Sequence, residues 1–255
     1  MSTTIIFIHG MFNNSKAWQN WISYFQERGF QTHALDWPLH EGEPAQLRKS
    51  PNPKLGELTF TQVKDHLKAK IMAIDPKAVL VGHSMGGLLV QKLISEGVGS
   101  SAVCISSVAP VGVVAVSLNM LKSCLPVFNL FALKKPYVMS ESHFKFSFCN
   151  TLSGAESKKM YDLYLVPESR MIAVTAAGLS SKISFKKPHA PIFFISGKKD
   201  NFMPTALNRS NANAYRDQDS IVGFKAFDNR DHSICGAPGW EEVAKAVENF
   251  LDRLK

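Results

Sequence analysis

The chain has 255 residues, is 45% hydrophobic and 20% charged, and holds four cysteines, Cys104, Cys124, Cys149 and Cys235. That composition suits a globular protein that buries its core without disulfide staples, and it excludes disordered and collagen-like chains. The formal charge is +8; ten bases and four acids fall in residues 111–190, so six of those eight charges sit in one segment.

No cysteine pairs in a C-x-x-C, which argues against a zinc or thioredoxin-like site and for free thiols in a reducing compartment. The opening residues carry no basic stretch before a short apolar run, so no signal peptide is read and a cytoplasmic location is expected. The longest apolar stretch, residues 102–118, is interrupted by Ser106, Ser107, Pro110 and Gly112, so no stable membrane insertion is expected. The basic segment lacks any nucleic-acid-binding module and reads as a solvated surface, with attraction of anionic substrates or membrane surfaces as the lesser reading.

In chain order, Ile5, Ile6, Phe7 and Ile8 make a short, fully apolar first strand ending at His9-Gly10. Ser15 reads as the N-cap of a helix whose Trp18, Trp21, Ile22 and Phe25 recur at helical spacing, and Gly29 stops it. A second strand is predicted over 31–37, a loop rich in Pro, Gly and charge over 38–58, and a helix over 61–74. A third strand over 77–82 runs into Gly82-His83-Ser84-Met85-Gly86-Gly87, and a helix apolar on most sides follows, with Gly97 as its stop. Further strands are predicted over 102–108, 192–196 and 222–227, and a last helix from about residue 239. Strands alternating with helices predict an α/β fold with a doubly wound, mostly parallel six-stranded sheet. Residues 111–190 break that rhythm and are too long for a structureless loop. They are read as a helical cap, rich in Phe128, Phe131, Phe144, Phe146 and Phe148, inserted into a core formed by 1–110 and 191–255.

Gly82-x-Ser84-x-Gly86 is informative because an apolar strand precedes it and a buried helix follows. A serine on a sharp turn between them projects its hydroxyl above the sheet, and the two glycines remove side chains that would collide across the turn. Serine needs a base, and a histidine on a loop after the last strand suits the role: His232, in Asn229-Arg230-Asp231-His232-Ser233. The base needs an orienting carboxylate. Asp200, after the fifth strand, fits the chain order Ser–Asp–His, whereas Asp231 is too close to His232 in sequence to reach its ring. The oxyanion formed on acyl transfer needs two backbone donors. The N–H of Met85, directly after the serine, is one; that of Met11, in the His9-Gly10-Met11-Phe12 loop, is the other. His9 is read as tying that loop down. Phe12, His83, Phe128 and Phe131 are the substrate-pocket candidates.

These motifs together resemble the α/β-hydrolase superfamily across essentially the whole chain, and the cap's position between the strand after the elbow helix and the strand bearing the acid is similar too. Only eight residues precede His9, so the N-terminal hairpin of many members is lacking, as in small bacterial esterases and the plant methyl-esterase and hydroxynitrile-lyase group. The resemblance implies a serine hydrolase of small or apolar carboxylic esters, working through Ser84, His232 and Asp200 with no metal or organic cofactor and a small-molecule ester as its partner. Thioesters, lactones and lipid esters are alternatives for the same machinery. Ser84 argues against the dehalogenase and epoxide-hydrolase branches, which resemble this chain but place Asp there. Ser233, where the related lyases carry Lys, argues against a C–C lyase, and the complete Ser–His–Asp set argues against a non-catalytic binding protein.

Overall fold

The computed structural model describes residues 2–254. Among them, six strands form one parallel sheet: β1 (Thr4–Ile8), β2 (Gln31–Leu35), β3 (Val79–His83), β4 (Ser101–Ile105), β5 (Ile192–Gly197) and β6 (Val222–Phe227), in the order β2-β1-β3-β4-β5-β6. β1 aligns Ile8 with Gly82 of β3, and β3 aligns His83 with Ile105 of β4, so three strand ends converge on the glycine-rich turn.

The pleat sorts alternate residues onto two cores. Ile5, Phe7, Val79, Val81, Val103 and Ile105 pack on one face with Trp21 and Phe25 of α1 (Gln19–Gln26) and with Val243, Val247 and Phe250 of α10 (Glu241–Asp252). Ile6, Ile8, Leu80, Ala102, Cys104 and Phe194 pack on the other, with α3 (Phe60–Ile74), α4 (Met85–Ser95) and α9 (Thr205–Ala214). β1, β3, β4 and β5 are buried throughout, which is why they read as unbroken apolar runs. The edge strands β2 and β6 are only partly buried.

Local chemistry moves several predicted boundaries. The first helical turn is a 3₁₀ stretch, Ser15–Trp18, capped by Asn14, whose side chain accepts from the Lys16 N–H. Ser15 is not the cap; its N–H and hydroxyl both donate to Asp36. The predicted loop over 38–58 contains α2 (Pro44–Lys49), opened by a proline at its first turn, and a 3₁₀ turn, Pro53–Glu57. α3 begins at Phe60 behind a Thr59–Gln62 capping box. β2 and β4 end earlier than predicted, at Leu35 and Ile105.

Between β4 and β5 the chain forms four short helices, α5 (Leu118–Cys124), α6 (Glu141–Ser147), α7 (Gly154–Tyr164) and α8 (Arg170–Ala176), and no strand of the sheet. No helix among the described residues is long and apolar enough to cross a membrane.

Candidate active site

Ser84 sits between β3 and α4 with φ +56°, a backbone region that costs an L-residue energy and persists only where the surroundings enforce it. Its N–H donates to the Ile105 carbonyl at 2.9 Å, and its carbonyl accepts from Gly87 and Val108, so β4 and α4 pin the turn on both sides. The glycines are sterically required. A Cβ on Gly82 would stand 2.2 Å from the Gly86 carbonyl oxygen, and one on Gly86 would stand 2.3 Å from that of Ile8.

The Ser84 hydroxyl lies 3.0 Å from His232 Nε2, and His232 Nδ1 lies 2.8 Å from Asp200 Oδ2. Asp200 Oδ1 accepts the Phe202 and Met203 N–H groups, both at 2.8 Å, which leaves Oδ2 for the imidazole and fixes the carboxylate plane. With Asp200 as acceptor, Nδ1 carries the ring proton and Nε2 presents its lone pair to the serine. All three residues are buried. Phe148, Phe202 and His83 enclose the His232 ring at centroid distances of 4.8, 5.2 and 4.7 Å. Asp231 is engaged elsewhere: it accepts from Thr151 through one oxygen and from Ser233 through the other.

Met11, Ser84 and Met85 line one cavity of about 190 Å³, whose walls are otherwise apolar: Val113, Met120, Val127 and Phe128 from residues 111–190 with Ala173 and Ala176 of α8, and Phe202, Met203 and Leu207 from the far side. Met85 is the first residue of α4, where a backbone N–H has no intrahelical acceptor. Gly10 brings the Met11 loop close: a Cβ there would be 2.7 Å from Ser84 Cβ. Cys124 also faces the cavity, and burial pushes its thiol up to about 11, so it holds its proton at neutral pH.

Three of the predicted pocket residues lie elsewhere. His83 points behind His232, donates from Nε2 to the His232 carbonyl at 2.9 Å, and lines a separate crevice of about 40 Å³; burial, then the neighbouring His232, holds its pKa well below the usual histidine value. Phe12, buried and with φ +65°, packs edge-on against Tyr137 and Phe148. Phe131 is fully exposed. Phe128 does line the cavity. The aromatic beside the site that composition alone did not single out is Phe148, stacked on Phe144 and set against His232.

The loop bearing Met11 is held by two more buried histidines. His9 donates from Nδ1 to the Gly10 carbonyl, accepts the Trp37 N–H at Nε2 and stacks on the Trp37 ring. Burial, then the charge of His40, holds its pKa well below the usual value, so His9 is neutral and structural. His40 pairs with Glu168 at 3.3 Å, both side chains fully buried. Burial alone would lower the His40 pKa, but the Glu168 carboxylate and the Pro38 carbonyl outweigh it and the net shift is upward. The same Glu168 oxygen accepts the Phe12 N–H at 3.2 Å, so this pair anchors the residue next to Met11. Glu168 is thus no part of the solvated charged surface expected for its segment.

The model of the alpha/beta hydrolase family matches residues 5–246. The chain belongs to that family. A Mycoplasma genitalium protein named "Putative esterase/lipase 3" is 21% identical, the match covering 99% of this chain and 88% of that protein. Among solved structures, a pyrethroid hydrolase from Sphingobium faniae JZ-2 superposes with a TM-score of 0.73 at 16% identity, covering 99% and 98% of the two chains. Polyneuridine aldehyde esterase, solved as its H244A mutant, superposes with a TM-score of 0.70 at 17% identity, covering 98% and 99%.

Proposed function

We propose that the protein is a carboxylic ester hydrolase in which Ser84, His232 and Asp200 form a catalytic triad. The supporting observation is the unbroken Asp200–His232–Ser84 hydrogen-bond chain, ending on a serine hydroxyl that opens into an apolar cavity. The family and the names of the similar proteins, an esterase/lipase, a pyrethroid hydrolase and an esterase, are in keeping with it.

In this reading His232 Nε2 takes the hydroxyl proton as Ser84 Oγ attacks the acyl carbon, and Asp200 stabilises the imidazolium that results. The Met11 and Met85 N–H groups receive the developing oxyanion. His232 then returns the proton to the leaving alcohol, an acyl-enzyme remains on Ser84, and a water activated by the same Nε2 releases the acid. Residues 111–190 act as the cap, because their helices supply one wall of the cavity. The cavity is smaller than the ~300 Å³ at which ligand pockets usually begin, which suits a small or slender acyl group. The four unpaired thiols support a cytoplasmic setting.

Hydrolysis of p-nitrophenyl esters from acetate to palmitate tests the proposal. Activity should peak at one chain length and vanish in Ser84→Ala. Folded wild-type protein that hydrolyses none of them and is not labelled on Ser84 by a fluorophosphonate would remove the reading.

A further inference from the structure

Among the described residues thirteen large apolar side chains are exposed, and eight of them fall between residues 114 and 131. Along residues 113–116 the sides alternate: Val113 and Ala115 pack on the core, whereas Val114 and Val116 face outward. α5 continues the pattern with helical spacing. Met120 and Cys124 point into the cavity beside Ser84, and Leu118, Leu121 and Leu125 point away from it. A surface helix ordinarily turns polar residues outward; one that is apolar on both sides has a second apolar surrounding to meet.

Charge indicates what that surrounding is. Residues 111–140 contain Lys122, Lys134 and Lys135 and no Asp, Glu, Arg or His. All three lysines are exposed. Two copies facing each other across a two-fold axis would set these lysines against themselves with no acid in the segment to answer them. An apolar face bordered by lysines suits instead the headgroup region of an anionic lipid surface, which receives the apolar side chains and neutralises the cations. Phe128 joins the two sides of the segment, being partly exposed at the patch and lining the cavity that holds Ser84.

We propose that residues 114–131 dock the protein on anionic lipid surfaces, so that an acyl chain passes from the lipid layer along α5 into the cavity at Ser84. The substrate class this implies, esters of lipid-borne acyl chains, rests on the triad reading above; the docking does not.

Sedimentation of the full chain with vesicles of phosphatidylcholine alone, and of phosphatidylcholine mixed with phosphatidylglycerol, tests the proposal. Wild-type protein should pellet with the mixed vesicles at least about tenfold more strongly than with the neutral ones, and less in high salt. Leu118→Ser/Leu121→Ser/Leu125→Ser should lose binding to both, with circular dichroism checking its fold, and Lys134→Glu/Lys135→Glu should lose the preference for the anionic vesicles. Ser84→Ala should pellet like wild type, so a wrong nucleophile and a wrong docking surface give different results. Folded wild-type protein that pellets with neither vesicle, or that is a dimer made monomeric by the leucine substitutions, would overturn docking. Equal pelleting with both vesicles would overturn the role of the lysines.

Discussion

Two imidazoles in this molecule are fully buried against a carboxylate, and the surroundings give them opposite tasks. His232 faces Asp200 through Nδ1, and its Nε2 meets the Ser84 hydroxyl, a group that has a proton to give. His40 faces Glu168 through Nε2, and its Nδ1 lies 2.9 Å from the Pro38 carbonyl, a group that can only accept. With a carboxylate and a carbonyl facing its two nitrogens, His40 is shifted toward the protonated form, which has no lone pair to offer. A histidine–carboxylate pair is therefore not a base by itself; the group on the second nitrogen decides whether the ring can take a proton or only hold one.

Substitutions at the two pairs should separate these tasks. The largest effect is expected from the histidines. His232→Gln should lower kcat by on the order of 10⁴- to 10⁶-fold, as loss of a triad member does elsewhere, whereas His40→Gln should keep kcat near the wild-type value. Comparable losses in initial-rate measurements would erase the distinction. The carboxylates follow. Asp200→Asn should cost roughly 10⁴-fold in kcat by presenting the wrong imidazole tautomer to Ser84. Glu168→Gln should instead cost about 1–3 kcal/mol in urea unfolding, because His40 gives up its proton and one of the Phe12 and Ser169 N–H groups loses its carboxylate acceptor. Gly10→Ala probes the loop the second pair supports: the added methyl crowds Ser84 Cβ and the His83 carbonyl, so kcat should fall by about 10²-fold and the overpacking should cost about 1–3 kcal/mol in unfolding.

The smallest effect is a pH dependence, and it too sets one histidine against others. His40 has a folded pKa above that of the unfolded chain. Its contribution to stability is full below about 6.5 and is lost as pH rises through the folded value. His9 and His83 have folded pKa values far below the unfolded one. What they contribute is present above about 6.5 and declines as pH falls, because the unfolded chain takes up protons that they refuse. The Tm deficit of His40→Gln relative to wild type should be greatest at mildly acidic pH and shrink toward alkaline pH. A deficit that grows with pH would place the charge elsewhere.

The two pairs also differed in how readable they were. Ser84, His232 and Asp200 each carry a local mark: a serine between two obligatory glycines after a buried strand, a histidine just past the last strand, an acid just past the fifth. His40 and Glu168 lie 128 residues apart, with nothing around either to indicate the other, since their meeting depends on how residues 111–190 fold back over the sheet. The sheet itself was legible because β1, β3, β4 and β5 are buried on both faces, and each carries an apolar run of three or four residues flanked by its few polar ones. Residues 111–190 were legible only as helical. Phe131 lies in a three-residue 3₁₀ turn, Leu130–Ala132, and Phe148 caps the seven-residue α6, both too short to establish which face turns inward, so the two look alike in sequence although one is in solvent and the other rests on His232. α2 was hidden because six residues opened by Pro44 carry no apolar period.

The order of the strands has a consequence in time. β3, β4, β5 and β6 lie side by side in the order in which they are synthesised, each added at the same growing margin of the sheet. A nascent chain can lay down β1, β2 and β3, close the turn that strains Ser84, and extend outward strand by strand as the ribosome supplies it. Asp200 arrives just after the strand at residues 192–197, and His232 only after β6. Until residue 232 has emerged, the strained turn at Ser84 has no imidazole to meet, so the Asp200–His232–Ser84 hydrogen-bond chain closes only after the last strand of the sheet has been made.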